Sequence, residues 1–277
     1  MLQAISNGHD AHHIYTRKNS LEALTASLDD GNIHLLLGCS GSVATIKLPN
    51  IIQALSKYPS SQLSIRVILT TSASRFLAGQ SREQPTVSAL MGLPNVDAQY
   101  VDADEWKVPW VRGGGILHIE LRRWADIFVI APLSANTLAK IVGGFADSLL
   151  TSVARAWDAW GELDSDRRLK KRRIIVAPAM NTAMWRHPIT AKQLRVLEEE
   201  WGVQSPSAPK TQPDAPEIPP TSHEADPSSA AQDEGDGWFE VLRPQRKVLA
   251  CGDAGDGAMI EWPQIVAVIE ERLGLEA

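Results

Sequence analysis

A chain of 277 residues can hold one large α/β domain or two small ones. Its 44% hydrophobic content is ordinary for a globular protein, and no apolar run reaches the length that crosses a bilayer, which argues against a membrane role. The formal charge of −6 is carried by residues 204–237, with seven acids and one lysine, so the remainder is neutral and lacks the clustered basic face of a nucleic-acid binder. There are two cysteines, Cys39 and Cys251, and the chain does not open on a cationic-then-apolar signal pattern. The expectation is a cytoplasmic protein with two free thiols.

Residues 1–30 are polar, with scattered histidines, and read as a loosely ordered N-terminal arm with a short helix near Leu21–Leu28. The folded domain is expected from residue 31, with a first buried strand at Ile33–Leu37. A Gly/Ser turn follows, then a helix face of Val43, Ile46, Ile51 and Leu55 that slips at Pro49. In Ser64–Thr70, Ile65, Val67 and Leu69 alternate along a second strand, and Leu93–Gly115 reads as a long loop. Further strands are predicted at Ile127–Ala131, Arg173–Ala177 and Lys247–Cys251. Helices are predicted around Leu149–Trp157, around Ala191–Leu197 and over Pro263–Leu273, where Pro263 suits a first turn. The basic run Arg167–Arg173 reads as a solvated loop. Residues 204–237 contain seven prolines and few large apolar groups, and read as a disordered insertion. Strands alternating with helices predict a single doubly wound, Rossmann-like parallel sheet in three αβα layers, spanning 31–277.

Ligands in such sheets bind where strand ends converge. Two segments suit that place: Pro132-Leu133-Ser134-Ala135-Asn136-Thr137 after one apolar run, and Pro178-Ala179-Met180-Asn181-Thr182-Ala183-Met184-Trp185 after another. The Gly38-Cys39-Ser40-Gly41-Ser42 turn is equally a plain strand–helix turn or a phosphate site, since it lacks the third glycine of a dinucleotide fingerprint and the Gly-Lys-Ser/Thr of a Walker loop. Thr70, Thr71 and Ser72 end the second strand with three hydroxyls; Ser72 is the expected helix cap, and Ser134 has the same double reading. His118 is the histidine with the best context for proton transfer. Cys251 opens Gly252-Asp253-Ala254-Gly255-Asp256-Gly257-Ala258-Met259, whose three glycines suggest a mobile flap carrying a thiol that donates a proton or attacks. Cys39 reads as packing.

Together, Gly41-Ser42-Val43-Ala44, the run His118–Asp126, Ala131–Lys140 with Gly143-Gly144, Pro178–Trp185 and Ala250–Met259 resemble the flavin-dependent cysteine decarboxylases, and among them the eukaryotic phosphopantothenoylcysteine decarboxylases. The resemblance implies a flavodoxin-like FMN domain, a homotrimer with sites between subunits, and a role in coenzyme A biosynthesis. It implies an FMN phosphate near Gly41 and Ser42, with Val43 also at the cofactor and Thr70, Thr71, Ser72, Ser134, Ala135, Asn136 and Thr137 lining the flavin. It also implies His118 as the essential histidine, Asn181 with Met184 at the substrate, Asn181 binding its carboxylate, and Cys251 returning a proton. The implied substrate, phosphopantothenoylcysteine, is oxidised at its thiol carbon, loses CO2 and is then reduced again, so the redox change nets to zero. Two alternatives stay open under the same resemblance: an inhibitory subunit of a protein phosphatase, for which the acidic insertion offers a partner surface, and a peptidyl-cysteine decarboxylase, against which Cys251 argues. No metal is implied.

Overall fold

The computed structural model describes residues 19–163, 172–203, 237–248 and 254–276. Six parallel strands form the central sheet: β1 (Ile33–Cys39), β2 (Leu63–Leu69), β5 (Val96–Val101), β6 (Ile127–Leu133), β7 (Ile174–Pro178) and β8 (Phe239–Val241). Between β2 and β5 lies a small antiparallel pair, β3 (Ala78–Ser81) and β4 (Gln84–Thr86). The sheet order is β5-β2-β1-β6-β7-β8. Counted within the sheet, the strands run third, second, first, fourth, fifth, sixth, the doubly wound order whose winding reverses beside the first strand. That reversal falls between β1 and β6, and it opens the crevice described below.

The helices follow the apolar spacing. They are α1 (Leu21–Ala26), α2 (Leu48–Ala54, entered through a 3-10 turn over Val43–Lys47), α3 (Thr71–Ser74), α4 (Leu117–Trp124), α5 (Ala135–Val142), α6 (Leu149–Arg155), α7 (Thr182–Arg186), α8 (Pro188–Arg195) and α9 (Trp262–Leu273). Side chains alternate across the sheet, so consecutive strand residues enter different cores. Leu35, Leu37, Ile65, Val67, Val129 and Ile175 pack with Ile51, Ile52, Ile265 and Ile269 of α2 and α9. Leu36, Ile68, Phe128, Ile130 and Val176 pack with Leu121, Trp124, Leu138, Leu150, Val153 and Leu194 of α4, α5, α6 and α8. Helices on both faces give the three-layer α/β architecture.

Several expectations change. The part of the expected arm that is described, residues 19–30, is ordered: Ser20 caps α1 through the Ala23 amide, and Leu24 is fully buried against α4 and its neighbours. Residues 1–18 lie outside the described residues. The loop expected over Leu93–Gly115 contains β5, whose Ala98 and Tyr100 are fully buried. Strand β8, paired with β7, has only three residues, too few for a periodic signal to mark it. The strand expected at Lys247–Cys251 is Gln245–Val248 (β9), and it pairs antiparallel with β10 (Ala254–Ala258) in a separate ribbon, not in the central sheet. Arg172, expected in a solvated basic loop, is buried: its Nη1 donates to the Arg122, Arg123 and Ala125 carbonyls at 2.8, 3.1 and 2.8 Å, and its guanidinium lies over the Trp157 ring. Residues 164–171, the rest of that run but for Arg173, lie outside the described residues, as does the expected disordered insertion apart from Gly237. Among the described residues, no helix is long and apolar enough to cross a membrane.

Candidate active site

A cavity of about 690 Å³ lies beyond the carboxyl ends of the strands that flank the reversal point. Gly41, Ser42 and Val43 come to it from the turn after β1, and Thr70, Thr71 and Ser72 from the turn after β2. Ser134, Ala135, Asn136 and Thr137 come from the turn after β6, and Asn181 and Met184 from the turn after β7. Twelve residues singled out from four separate sequence segments thus line one space.

The local chemistry of each turn explains its shape. Ser40, fully buried, ties the first turn to the third: its Oγ donates to the Pro132 carbonyl at 3.0 Å and accepts from the Ser134 amide at 2.7 Å. Sequence reading passed over Ser40, because a serine between Cys39 and Gly41 looks like any small turn residue. Gly38 lies inside β1, where a Cβ would stand 2.9 Å from the Phe128 ring; its smallness serves the core, not a phosphate. Gly41 does face the cavity. A Cβ there would come within 2.6 Å of Ser72 Cβ, so the first two turns meet only because this residue has no side chain. The Gly41 and Ser42 amides take no partner among the described residues. Burial pushes the Cys39 thiol far above its ordinary range and its Sγ donates to the Ala131 carbonyl, which suits packing.

Most of the hydroxyls have structural duties. Thr70, not the expected Ser72, caps α3 by accepting from the Ala73 amide at 3.2 Å. Ser72 is left exposed on the cavity wall. Ser134 caps α5 through the Thr137 amide and also donates to Thr137 Oγ1 at 3.2 Å. Asn136 is exposed and takes no partner among the described residues. Asn181 caps α7: its Oδ1 accepts from the Met184 amide at 2.8 Å. That bond fixes the amide orientation and leaves Nδ2, a pure donor, for a ligand.

Lys140 and Asp147 also line this cavity and pair at 2.5 Å. The Lys140 ammonium holds the Asp147 carboxyl below the usual carboxylate range. Asp102, absent from the sequence reading, accepts from the Thr71 amide and hydroxyl on one side and from the Leu149 amide on the other. It anchors α3 to α6, and a single aspartate in the DAD turn carries no pattern that would reveal this.

His118 is not in this cavity. It lines an adjoining one of about 440 Å³ with Glu105, Trp106 and Arg155, and the two cavities share Asp102, Asp147 and Ser148 as a partition. Within one chain, His118 and Asn181 therefore face different chambers. The His118 ring bonds to Glu105 through Nδ1.

Cys251 lies outside the described residues, in the connection between β9 and β10. The described part of that segment corrects the flap argument, because its glycines serve close packing. A Cβ on Gly255 would meet Thr182 Oγ1 at 1.7 Å. One on Gly257, whose φ is +114°, would meet the Met180 carbonyl oxygen at 2.7 Å. The ribbon is bound to the α7 region by the Met180 amide donating to the Gly257 carbonyl at 2.9 Å and by Arg186 on Asp256 at 2.7 Å.

The model of the family described as Flavoprotein matches residues 24–218. Coenzyme A biosynthesis protein 3 of Saccharomyces cerevisiae is 36% identical over 246 residues, 88% of this chain and 34% of that protein. The probable phosphopantothenoylcysteine decarboxylase of Arabidopsis thaliana is 36% identical over 228 residues, 82% of this chain and 82% of that one. A solved structure of a phosphopantothenoylcysteine decarboxylase mutant complexed with pantothenoylaminoethenethiol superposes with a TM-score of 0.59 at 34% identity, covering 87% of this chain and 97% of that one. The chain spans about a third of the length of two fungal relatives and most of the plant protein. On these matches the chain belongs to the flavoprotein family, in the group that holds the phosphopantothenoylcysteine decarboxylases.

Proposed function

We propose that this protein decarboxylates 4′-phosphopantothenoylcysteine to 4′-phosphopantetheine, a step of coenzyme A biosynthesis, with FMN as its cofactor. The observation that carries the reading is the convergence of four turns on one cavity whose lining is polar at the strand ends and apolar at Val43, Met184 and Trp262. A volume of about 690 Å³ falls within the range of cofactor pockets. The turn at Gly41 suits a phosphate, since the Gly41 and Ser42 amides take no partner among the described residues and the Ser72 hydroxyl is exposed on the same cavity wall. The cofactor would be held by Gly41, Ser42, Val43, Thr70, Thr71, Ser72, Ser134, Ala135, Asn136 and Thr137. FMN when bound supplies a reversible two-electron sink for the substrate's thiol carbon.

The chain's own residues do the rest. Asn181 Nδ2 donates to the substrate carboxylate, which orients the leaving CO2 without setting a second charge beside it. Met184, more than half exposed, gives the apolar wall next to that carboxylate. His118 handles a proton at its free ring nitrogen, and Cys251 gives one back at the end. Because His118 and Asn181 face different chambers of one chain, a second copy that brings the two together is part of the proposal, as a homotrimer with sites between subunits. Light scattering on the FMN-loaded protein should give three chains per particle.

The test is incubation of the purified protein with FMN and phosphopantothenoylcysteine, following CO2 and product mass. Both CO2 and 4′-phosphopantetheine should form. His118→Ala should keep the flavin and lose CO2 release; Cys251→Ser should release CO2 and stop two hydrogens short of the final product. A protein that stays colourless with added FMN sinks the reading. One that holds FMN but turns nothing over favours the phosphatase-subunit alternative.

A further inference from the structure

We propose that Glu105 is a positioning residue for His118, holding the Nδ1 proton in place so that Nε2 faces the chamber with its lone pair free. The proposal rests on the reading that His118 transfers a proton during decarboxylation. The Glu105 side chain is 5% exposed, that of His118 is 22% exposed, and the Glu105 carboxylate meets the imidazole at Nδ1. A carboxylate in its ionised form only accepts hydrogen bonds, and toward such a group Nδ1 is the donor. Nε2 takes no partner among the described residues, and His118 lines the cavity of about 440 Å³ beside Asp102, Asp147 and Arg155.

The carboxylate is placed by its turn, not by chance. Glu105 directly follows a 3-10 turn over Asp102–Asp104. Asp104 Oδ2 accepts from the Val101 amide at 2.8 Å, while Asp102 accepts from Thr71 and from the Leu149 amide at 3.1 Å. These bonds pin the turn to the end of β5, to α3 and to α6. The histidine is fixed from the other side as the second residue of α4. Two groups on separately anchored elements meet with little freedom, which is how a second residue selects a ring tautomer. Buried beside an imidazole with one free nitrogen, Glu105 does more than the exposed ion pairs of the surface.

The test compares the FMN-loaded wild type with Glu105→Gln, both labelled with ¹⁵N-histidine and recorded near pH 9, where a histidine ring is neutral at about that pH. The wild type should show His118 protonated at Nδ1 and bare at Nε2, the reverse of the usual preference in water. The glutamine variant can also donate from its amide and should move the ring toward the Nε2-protonated form. In the decarboxylation assay Glu105→Gln should keep FMN and a KM within about threefold, while kcat falls roughly 100-fold. A wild-type His118 protonated at Nε2, or a glutamine variant with wild-type kcat, overturns the role. Should the variant fail to fold, the wild-type spectrum decides alone. A wild type that releases no CO2 sinks the decarboxylase reading, and the tautomer still judges Glu105 separately.

Discussion

At Gly257 an added methyl group has no way out. It would press on a backbone carbonyl and on Trp185 Cβ, at 2.7 and 2.9 Å, in a left-handed conformation that side chains resist. At Gly255 the obstacle is the Thr182 hydroxyl, which can swing aside even though its Cβ would stay 3.0 Å away. Gly257→Ala should therefore cost more than about 1 kcal/mol and Gly255→Ala less, measured by denaturant unfolding. Equal losses at the two positions would mean that the ribbon adjusts as a body. The same reasoning separates Gly38 from Gly41. One glycine makes room for the Phe128 ring in the core, the other for the approach of two ligand-facing turns.

The ribbon of β9 and β10 is the element that carries Cys251, and its attachment to α7 is partly electrostatic. Arg186 holds the Asp256 carboxyl below its ordinary value of 3.8. A depressed carboxylate stabilises the folded arrangement above its unfolded value, and the contribution is lost as pH falls through the depressed one. At neutral pH the clamp is thus fully present, and it fails only in acid below about pH 4. Asp256→Asn should speed hydrogen exchange at the Met180 amide, which donates to the Gly257 carbonyl, and should remove the acid-dependent part of that protection. Identical exchange in wild type and variant would show that the glycine packing alone holds the ribbon. Both ion-pair members are partly exposed, so the effect belongs to local opening more than to global stability.

For the whole molecule, the place where residues 204–236 leave and rejoin the fold is a closed neck. The Val203 amide donates to the Phe239 carbonyl at 3.0 Å and the Trp238 amide to the Trp201 carbonyl at 2.9 Å, with Trp201 and Trp238 stacked beside them. A Cβ on Gly237 would lie 2.1 Å from the Gly202 carbonyl oxygen, so the two ends touch through glycine. Removing residues 207–234 leaves chain enough to join ends that already meet. The expected result is a melting temperature close to that of the intact protein, measured by calorimetry. A large drop would show that the deleted stretch contributes to stability.

Composition and local pattern by themselves determined much of this protein. Apolar runs ending in polar turns, as at Ile127–Ile130 and Ile174–Val176, predict strands of a parallel sheet and the end at which a ligand sits, because burial on both faces and helix capping are local chemistry. The helix faces around Leu149–Trp157 and Pro263–Leu273 were legible for the same reason. Tertiary structure alone decided the rest. Strand β8, at three residues, is too short for a local period to report it, and the brief alternation of Val96, Ala98 and Tyr100 with Asp97 and Gln99 in β5 is decided as a strand by its pairing with β2. The roles of Gly255 and Gly257 depend on what α7 puts against them. The separation of His118 from Asn181, and the meeting of His118 with Glu105, depend on how α4 and the end of β5 pack, a distance between elements that the order of residues along a chain does not contain.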